Sequence, residues 1–362
     1  MATRITTREV LRLRLASQRI ENPTGESLTL VDVARQLLAT QAQDFIQGGW
    51  ALGLRAAGAT LQDLTAALES GSIIRSAPFR GTLHFMAAED LGWVLALTAK
   101  RTIQGATTRL RQLELDAATL ARARAATIAA LEGGRSLPRD EYFAVLAAAG
   151  IEPTGQRGYN VIWYLAQTGL ICWGPPRGTQ QGLVLVDEWV PRPRRLEGDE
   201  ALRELVIRYF TGHGPATIRD LAWWSKVTLV DARRGLELGR PELTELECAG
   251  VAHWASTREL DLASGARRSS VVHALPGFDE YLLGYQDRSA ALAVEHAALV
   301  VPGNNGIFLP MMVSRGSIVG TWRRADSAKR VTVIPDPFVE LGERAIGSFV
   351  RSAARFARFR TG

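Results

Sequence analysis

A chain of 362 residues, 46% of them hydrophobic, can bury two or three compact cores, which excludes wholesale disorder. Lys and Arg total 43 against 37 Asp and Glu, a formal charge of +6, and with a pI near 9.7 that balance suits a polyanionic partner. No apolar run approaches the ~20 residues needed to span a bilayer, and the first residues interleave Arg with apolar residues and lack a signal-type apolar core. Cys172 and Cys248 belong to no metal-binding Cys/His set and read as buried thiols in a reducing cytoplasm. The expectation is a soluble, cytoplasmic monomer with no cofactor and no metal.

Residues 6–20 read as an amphipathic helix with Val10, Leu11, Leu13, Leu15 and Ile20 toward a core, and Asn22-Pro23-Thr24-Gly25 turns the chain. Thr29 can cap a second helix whose apolar residues Leu30, Val33, Ala34, Leu37 and Leu38 share one face. A third helix-like run begins at Phe45. Between these two lies Thr40-Gln41-Ala42-Gln43-Asp44. On a helix, residues i and i+2 are turned about 200° apart, whereas on extended backbone they face the same side. A site shared by Gln41 and Gln43 therefore requires the helix to break there. Each amide offers one acceptor oxygen and two N–H donors, so the pair can grip one water or read a base edge. Neither titrates near neutral pH, so neither is a strong acid or base. Asp44 can polarise such a water or cap the following helix. The plainer reading of the whole stretch is a solvated, capped helix corner.

Residues 60–70 form another helix ended by Gly71, and β-like runs follow at 72–76 and 81–86, joined at Ala77-Pro78-Phe79-Arg80. Helices followed by a two-stranded wing are the order of a winged helix. The order recurs as helices 117–131, 138–149 and 154–168 with strands 170–173 and 183–186 around residues 174–178. It recurs again as helices 200–210, 218–225 and 229–238 with strands 243–248 and 251–255. Short β-like runs then come at 271–275, 298–301, 307–313, 317–322 and 329–334, with Ser314-Arg315-Gly316 as a hairpin tip. A helix over 338–358 closes the chain. The predicted fold is mainly α with small β elements (α+β), a tandem winged-helix array followed by a small antiparallel β domain, divided at 1–100, 101–197, 198–262 and 263–362.

Chemistry-bearing residues are sparse. Arg75 and Arg80 lie on or beside the first wing and can hold phosphates, while His84 reads as a packed strand residue. Thr154-Gly155-Gln156-Arg157-Gly158-Tyr159-Asn160 opens a helix with the N-terminus, donors and ring that a phosphate or base contact uses; an ordinary capped helix has the same look. Asp279-Glu280-Tyr281 and Asp287-Arg288 can supply paired carboxylates, but read first as a loop held by Asp–Arg pairing and tyrosine hydroxyls. Gly303 and Gly306 make no nucleotide fingerprint.

The stretch TQAQDFIQGGWALGLR (40–55) resembles the glutamine–aliphatic–glutamine segment of the AlkZ-like (YcaQ-related) family of winged-helix DNA glycosylases. IIRSAPFRGTLHFM (73–86), GPATIRDLAWWSKVTLVDAR (214–233), LPGFDEYLLGYQDRSA (275–290) and GSIVGTWRR (316–324) extend the resemblance over nearly the whole chain. The resemblance implies catalytic positions at Gln41 and Gln43, with Ala42 smaller than the aliphatic residue typical between them. It implies a monofunctional DNA glycosylase that hydrolyses the N-glycosidic bond of cationic N-alkylated purines in duplex DNA. Such a base leaves readily, so the enzyme need only orient water and stabilise charge. Arg75, Arg80, Arg157 and Arg315 are the candidate DNA contacts. The alternative is a non-catalytic winged-helix regulator, since winged helices usually read DNA without cutting it; a protein-interaction array is a third reading.

Overall fold

The structure, a computed structural model, describes residues 2–264, 269–304, 306–327 and 330–362. In chain order its elements begin with β1 (Thr3–Arg4), α1 (Thr7–Ser17), α2 (Leu30–Leu37), β2 (Thr40–Gln41), α3 (Phe45–Gly53), α4 (Leu61–Glu69), β3 (Ile73–Phe79), β4 (Thr82–Ala87), α5 (Leu91–Gln112) and α6 (Ala117–Leu131). Next come β5 (Leu137–Pro138), α7 (Arg139–Ala148), α8 (Arg157–Gln167), β6 (Ile171–Arg177), β7 (Gln180–Leu185), α9 (Val186–Trp189), α10 (Gly198–His213), α11 (Ile218–Ser225), α12 (Leu229–Gly239), β8 (Leu243–Cys248) and β9 (Val251–Ser256). The last are α13 (Thr257–Ser264), β10 (Val272–Leu275), α14 (Glu280–Leu283), α15 (Ala297–Val300), β11 (Met311–Ser314), β12 (Ser317–Ser327), β13 (Arg330–Pro337) and α16 (Glu343–Thr361). The chain packs as two compact units, Met1–Asp63 with Leu202–Gly362, and Leu64–Ala201. None of the helices among the described residues is long and apolar enough to cross a membrane. The α+β class and the helix–helix–wing order are as expected.

Local chemistry sets the helix starts. Thr6, Thr29 and Thr217 each accept the amide three residues on, and Glu9, Asp32 and Asp220 answer the cap's own backbone N–H. This reciprocal box satisfies two of the amides that a helix start leaves unpaired.

In the unit Leu64–Ala201 the strands run β4-β3-β6-β7-β5. The first two wings thus share one sheet, through antiparallel β3 and β6 at Arg75 and Trp173. Both wings correct the expected turns. Residues 77–80 were expected to join the first pair, but β3 runs on to Phe79 with a register shift between Ser76 and Phe79. The turn is Arg80-Gly81, both at positive φ, 56° and 71°, the pairing of signs that a two-residue hairpin of matching twist requires. Pro78 has no N–H to give, and an irregular stretch of ladder is where a strand tolerates it. Likewise β6 runs to Arg177, with Gly174-Pro175 inside a register shift between Trp173 and Pro176 rather than in the turn. A second core fills this unit, with Leu110, Leu131, Leu146, Val161, Leu165 and Ile171 buried together and the Tyr142 and Thr127 hydroxyls 2.7 Å apart within it.

In the other unit, β8 and β9 form the third wing, extended by β1 lying parallel to β8. A four-stranded antiparallel sheet runs β10-β11-β12-β13. The run expected as a strand at 298–301 is helical instead, as α15, and Lys329 of the expected strand 329–334 lies outside the described residues. Arg315-Gly316, at φ 50° and 88°, makes the expected tip between β11 and β12. The main core of this unit joins α1, α3, the sheet and α16. Trp50 of α3 donates its indole N–H to Ala274 O at 2.9 Å and lies 5.6 Å from the rings of both Phe356 and Phe359. Gly53 lets α3 approach that helix, since a Cβ there would sit 2.5 Å from the Phe359 ring. Along α16, Ser348 and Ser352 accept the Val272 and Ala274 amides of β10 at 3.0 and 2.9 Å.

Candidate functional site

The segment that carries both glutamines forms because α2 ends abruptly. Leu38 takes φ 62° and ψ −46°, and Ala39 N donates back across it to Leu37 O at 2.8 Å. That is a γ-turn of the strained hand, rare for a residue with a side chain. It is held by burial, for Leu37, Leu38 and Ala39 are all fully inside. The backbone then runs extended through Thr40 and Gln41. Ala42 is fully buried against α3, where Gly48 leaves room: a Cβ on Gly48 would lie 2.7 Å from Ala42 Cα and 3.0 Å from Gln41 O. A small residue between the glutamines and a glycine on the facing helix therefore fit each other.

Gln41 is 8% exposed, whereas Gln43 and Asp44 are exposed. Asp44 is the N-cap of α3, accepting Ile46 N at 2.9 Å and Gln47 N at 3.0 Å, the cap role open to it from sequence. One turn on, Gln47 Oε1 accepts Gly277 N at 2.9 Å, which ties α3 to the loop before α14.

That loop carries the acidic cluster. Asp279 and Arg55 form a bidentate ion pair, 2.8 and 2.9 Å, with both side chains fully buried. Arg55 spends its other donors on Gln18 O, Gln18 Oε1 and Ala51 O. A buried pair satisfied at every donor is stable; removing one partner strands a charge, at about 3–5 kcal/mol. Tyrosine hydroxyls complete the scaffold: Tyr285 donates to His213 O at 2.8 Å, Tyr209 to Gly284 O at 2.8 Å and Tyr281 to Gly316 O at 2.5 Å. Burial pushes the Tyr285 hydroxyl up to about 12 and those of Tyr209 and Tyr281 upward too, so all three stay protonated donors at neutral pH. The expected loop of Asp–Arg pairing and tyrosine hydroxyls is thus present, with Arg55 as the partner of Asp279.

Glu280 was read from sequence only as part of an acidic cluster, with no link to the glutamines, and it touches the glutamine segment directly. Its Oε1 accepts the backbone N–H of Gln41 at 3.0 Å. Its Oε2 accepts the Trp224 indole N–H at 2.8 Å. Gln41 and Glu280 are 239 positions apart in the chain, so no local spacing could have joined them. The only signal was that both fall in stretches that carry the family resemblance.

The candidate arginines sit in different places. Arg315 is exposed at the tip between β11 and β12. Arg75, half-buried on β3, donates to Gln181 Oε1 at 2.6 Å. Arg80, at the first wing turn, lies 3.3 Å from His84 Nε2, and the His84 ring is buried with Nδ1 2.7 Å from Thr82 O. Arg157 opens α8 and donates to Glu114 O at 3.2 Å. Gln41, Gln43 and Arg315 belong to one compact unit and Arg75, Arg80 and Arg157 to the other. Among the described residues no group of three or more His, Cys, Asp or Glu is placed to hold a metal.

Helix pairs each followed by a wing, three times over, define a tandem winged-helix protein, the winged helix being a variant of the helix-turn-helix. A family model described as DNA glycosylase AlkZ-like matches residues 34–359, and the chain belongs to that family. It is 27% identical over 352 residues, 91% of each chain, to an interstrand DNA cross-link repair glycosylase of Streptomyces sahachiroi. The solved structure of S. sahachiroi DNA glycosylase AlkZ superposes with a TM-score of 0.82 at 26% identity, covering 99% of this chain and 97% of that one. The protein is accordingly a DNA glycosylase, a DNA-binding hydrolase of DNA repair, and the regulator reading is not favoured.

Proposed function

We propose that this glycosylase hydrolyses the N-glycosidic bond of cationic N-alkylated purines in duplex DNA, with Gln41 and Gln43 positioning the attacking water. A purine alkylated at N7 carries positive charge and departs without needing a proton. The sugar left behind has oxocarbenium character and wants a water close by. Two amides, one at the end of an extended stretch and one at the bend that follows it, can orient that water through their oxygens while donating N–H to the lesion. The observation that supports this reading is the broken corner between α2 and α3: the backbone is extended at Gln41, fixed through its amide, and leaves Gln43 exposed. Arg315 is the exposed candidate for a phosphate or groove contact; Arg75, Arg80 and Arg157 are proposed to touch phosphates beside their internal partners.

The test is base release from duplex DNA carrying N7-methylguanine, by the intact protein and by Gln41→Ala/Gln43→Ala. Excision lost in the double variant with DNA binding kept is the expected result. DNA binding that is sensitive to salt, without release of any cationic adduct by the intact protein, would sink the assignment. A parallel substrate with an N7-linked interstrand cross-link asks whether the specialisation in the relative's name extends to this chain.

A further inference from the structure

We propose that Glu280 is a positioning residue of the excision site, a two-ended acceptor that fixes the backbone of Gln41 and is itself fixed by Trp224. This rests on Gln41 belonging to that site. Glu280 is 1% exposed and each carboxylate oxygen faces an N–H: Gln41 N at 3.0 Å on Oε1, Trp224 Nε1 at 2.8 Å on Oε2. A glutamine of the same shape has only one acceptor oxygen. It could serve Gln41 or Trp224, and its own NH2 would confront the other donor. Only a carboxyl group with both oxygens accepting satisfies both ends.

Everything around Glu280 limits its movement. Its carbonyl accepts Gln18 Nε2 at 3.3 Å, and Gln18 also donates to the Tyr285 hydroxyl at 3.0 Å. Asp279, the preceding residue, is locked to Arg55. His213 stands behind it, fully buried, with Nε2 3.6 Å from Glu280 Oε2 and its ring stacked at 4.8 Å and 8° on Tyr209. Gly284 closes on the same ring, for a Cβ there would sit 2.5 Å from His213 Cδ2. The carboxylate is thus seated in an aromatic socket formed by α10 and α11, and it reaches out of that socket to the candidate segment, where its Oε1 meets the amide of Gln41 itself. A displacement of the order of an ångström at a water-orienting group costs far more in rate than in binding.

The experiment compares single-turnover excision of N7-methylguanine by the wild type, Gln41→Ala, Glu280→Gln, Trp224→Phe and the Glu280→Gln/Gln41→Ala pair, with DNA affinity measured beside it. Glu280→Gln is expected to slow excision roughly ten- to a hundredfold while affinity for DNA stays unchanged. Trp224→Phe is expected to slow it in the same direction by less. The pair is expected to be no slower than Gln41→Ala alone, because Glu280 acts through Gln41. The amide proton of Gln41 is expected to move upfield in Glu280→Gln. Should Glu280→Gln not fold, Trp224→Phe, which removes the second donor and leaves the carboxylate, decides the matter by its rate. Full-rate excision by Glu280→Gln beside a slow Gln41→Ala overturns the proposal alone. Equal rates for the wild type and Gln41→Ala overturn the assignment of Gln41 and the proposal with it.

Discussion

Two helix corners in the same unit start alike and end differently. Before each, a threonine and an aspartate three residues on close a capping box, Thr29 with Asp32 on α2 and Thr217 with Asp220 on α11. Both first helices are eight residues long. The corner after α11 is three residues, 226–228: Lys226 turns left-handed at φ 64° and ψ 13°, and Thr228 already caps α12. The corner after α2 spans 38–44 and passes through a strained γ-turn and an extended stretch before Asp44 caps α3. A short corner spends its residues on joining two helices. The longer one has room to stretch out between the two caps, and its exposed amide, Gln43, follows at the bend before Asp44. The cost is strain at Leu38 and a need for outside anchors, which Gly48, Gln47 and Glu280 supply.

The sharpest way to break this comparison uses one glycine from each second helix. Gly48 of α3 faces Ala42 Cα at 2.7 Å, and Gly235 of α12 faces Val206 Cγ2 at 2.5 Å, in terms of an added Cβ. Both changes to alanine overpack and are expected to destabilise by about 1–3 kcal/mol. Only Gly48→Ala is expected to slow excision per folded molecule, because its methyl group pushes on the glutamine segment. Equal loss of single-turnover rate in the two variants would remove the distinction between the corners. A smaller effect comes from Lys226→Gly, which relieves the left-handed turn. It is expected to raise stability by about 1 kcal/mol with no change in excision, as judged by thermal melting beside the activity assay. The smallest effect belongs to the cap. The Thr29 hydroxyl on Asp32 holds that carboxyl below the usual aspartate range. A depressed folded value means the contribution is complete above the ordinary value near 3.8 and is lost as pH falls through the folded one. Thr29→Ala is therefore expected to be less stable at pH 7 by about 1 kcal/mol, seen as a lower melting temperature, with the gap closing in acid. Thr217→Ala serves as its counterpart at the short corner.

Much of this was legible in the chain. The Thr-x-x-Asp boxes, the apolar helix faces and the Arg315-Gly316 tip all depend on residues near one another, and short-range chemistry decided them. The wing turns were placed too early because Ala77-Pro78 and Gly174-Pro175 look like loop ends; each is absorbed as an irregularity inside a longer strand. The sharing of one sheet by two wings, and the addition of Thr3–Arg4 beside β8, depend on tertiary pairing that no local pattern encodes. Of the candidate site, the polar break between two helical faces stood out in sequence. Its anchors did not. Glu280 sat in an acidic loop whose Asp–Arg pairing explained Asp279 well enough to hide what its neighbour does.

The two serines of α16 have a bearing on solubility. β10 is the edge of its sheet, and an edge strand with free amides invites another strand to add to it. Ser348 and Ser352, one helical turn apart, occupy the Val272 and Ala274 amides with hydroxyl oxygens. A helix thereby closes an edge that a further strand would otherwise complete, and a foreign strand would have to displace the whole of α16, with Phe349, Phe356 and Phe359, to reach it. The last helix is in this sense a guard against self-templated aggregation.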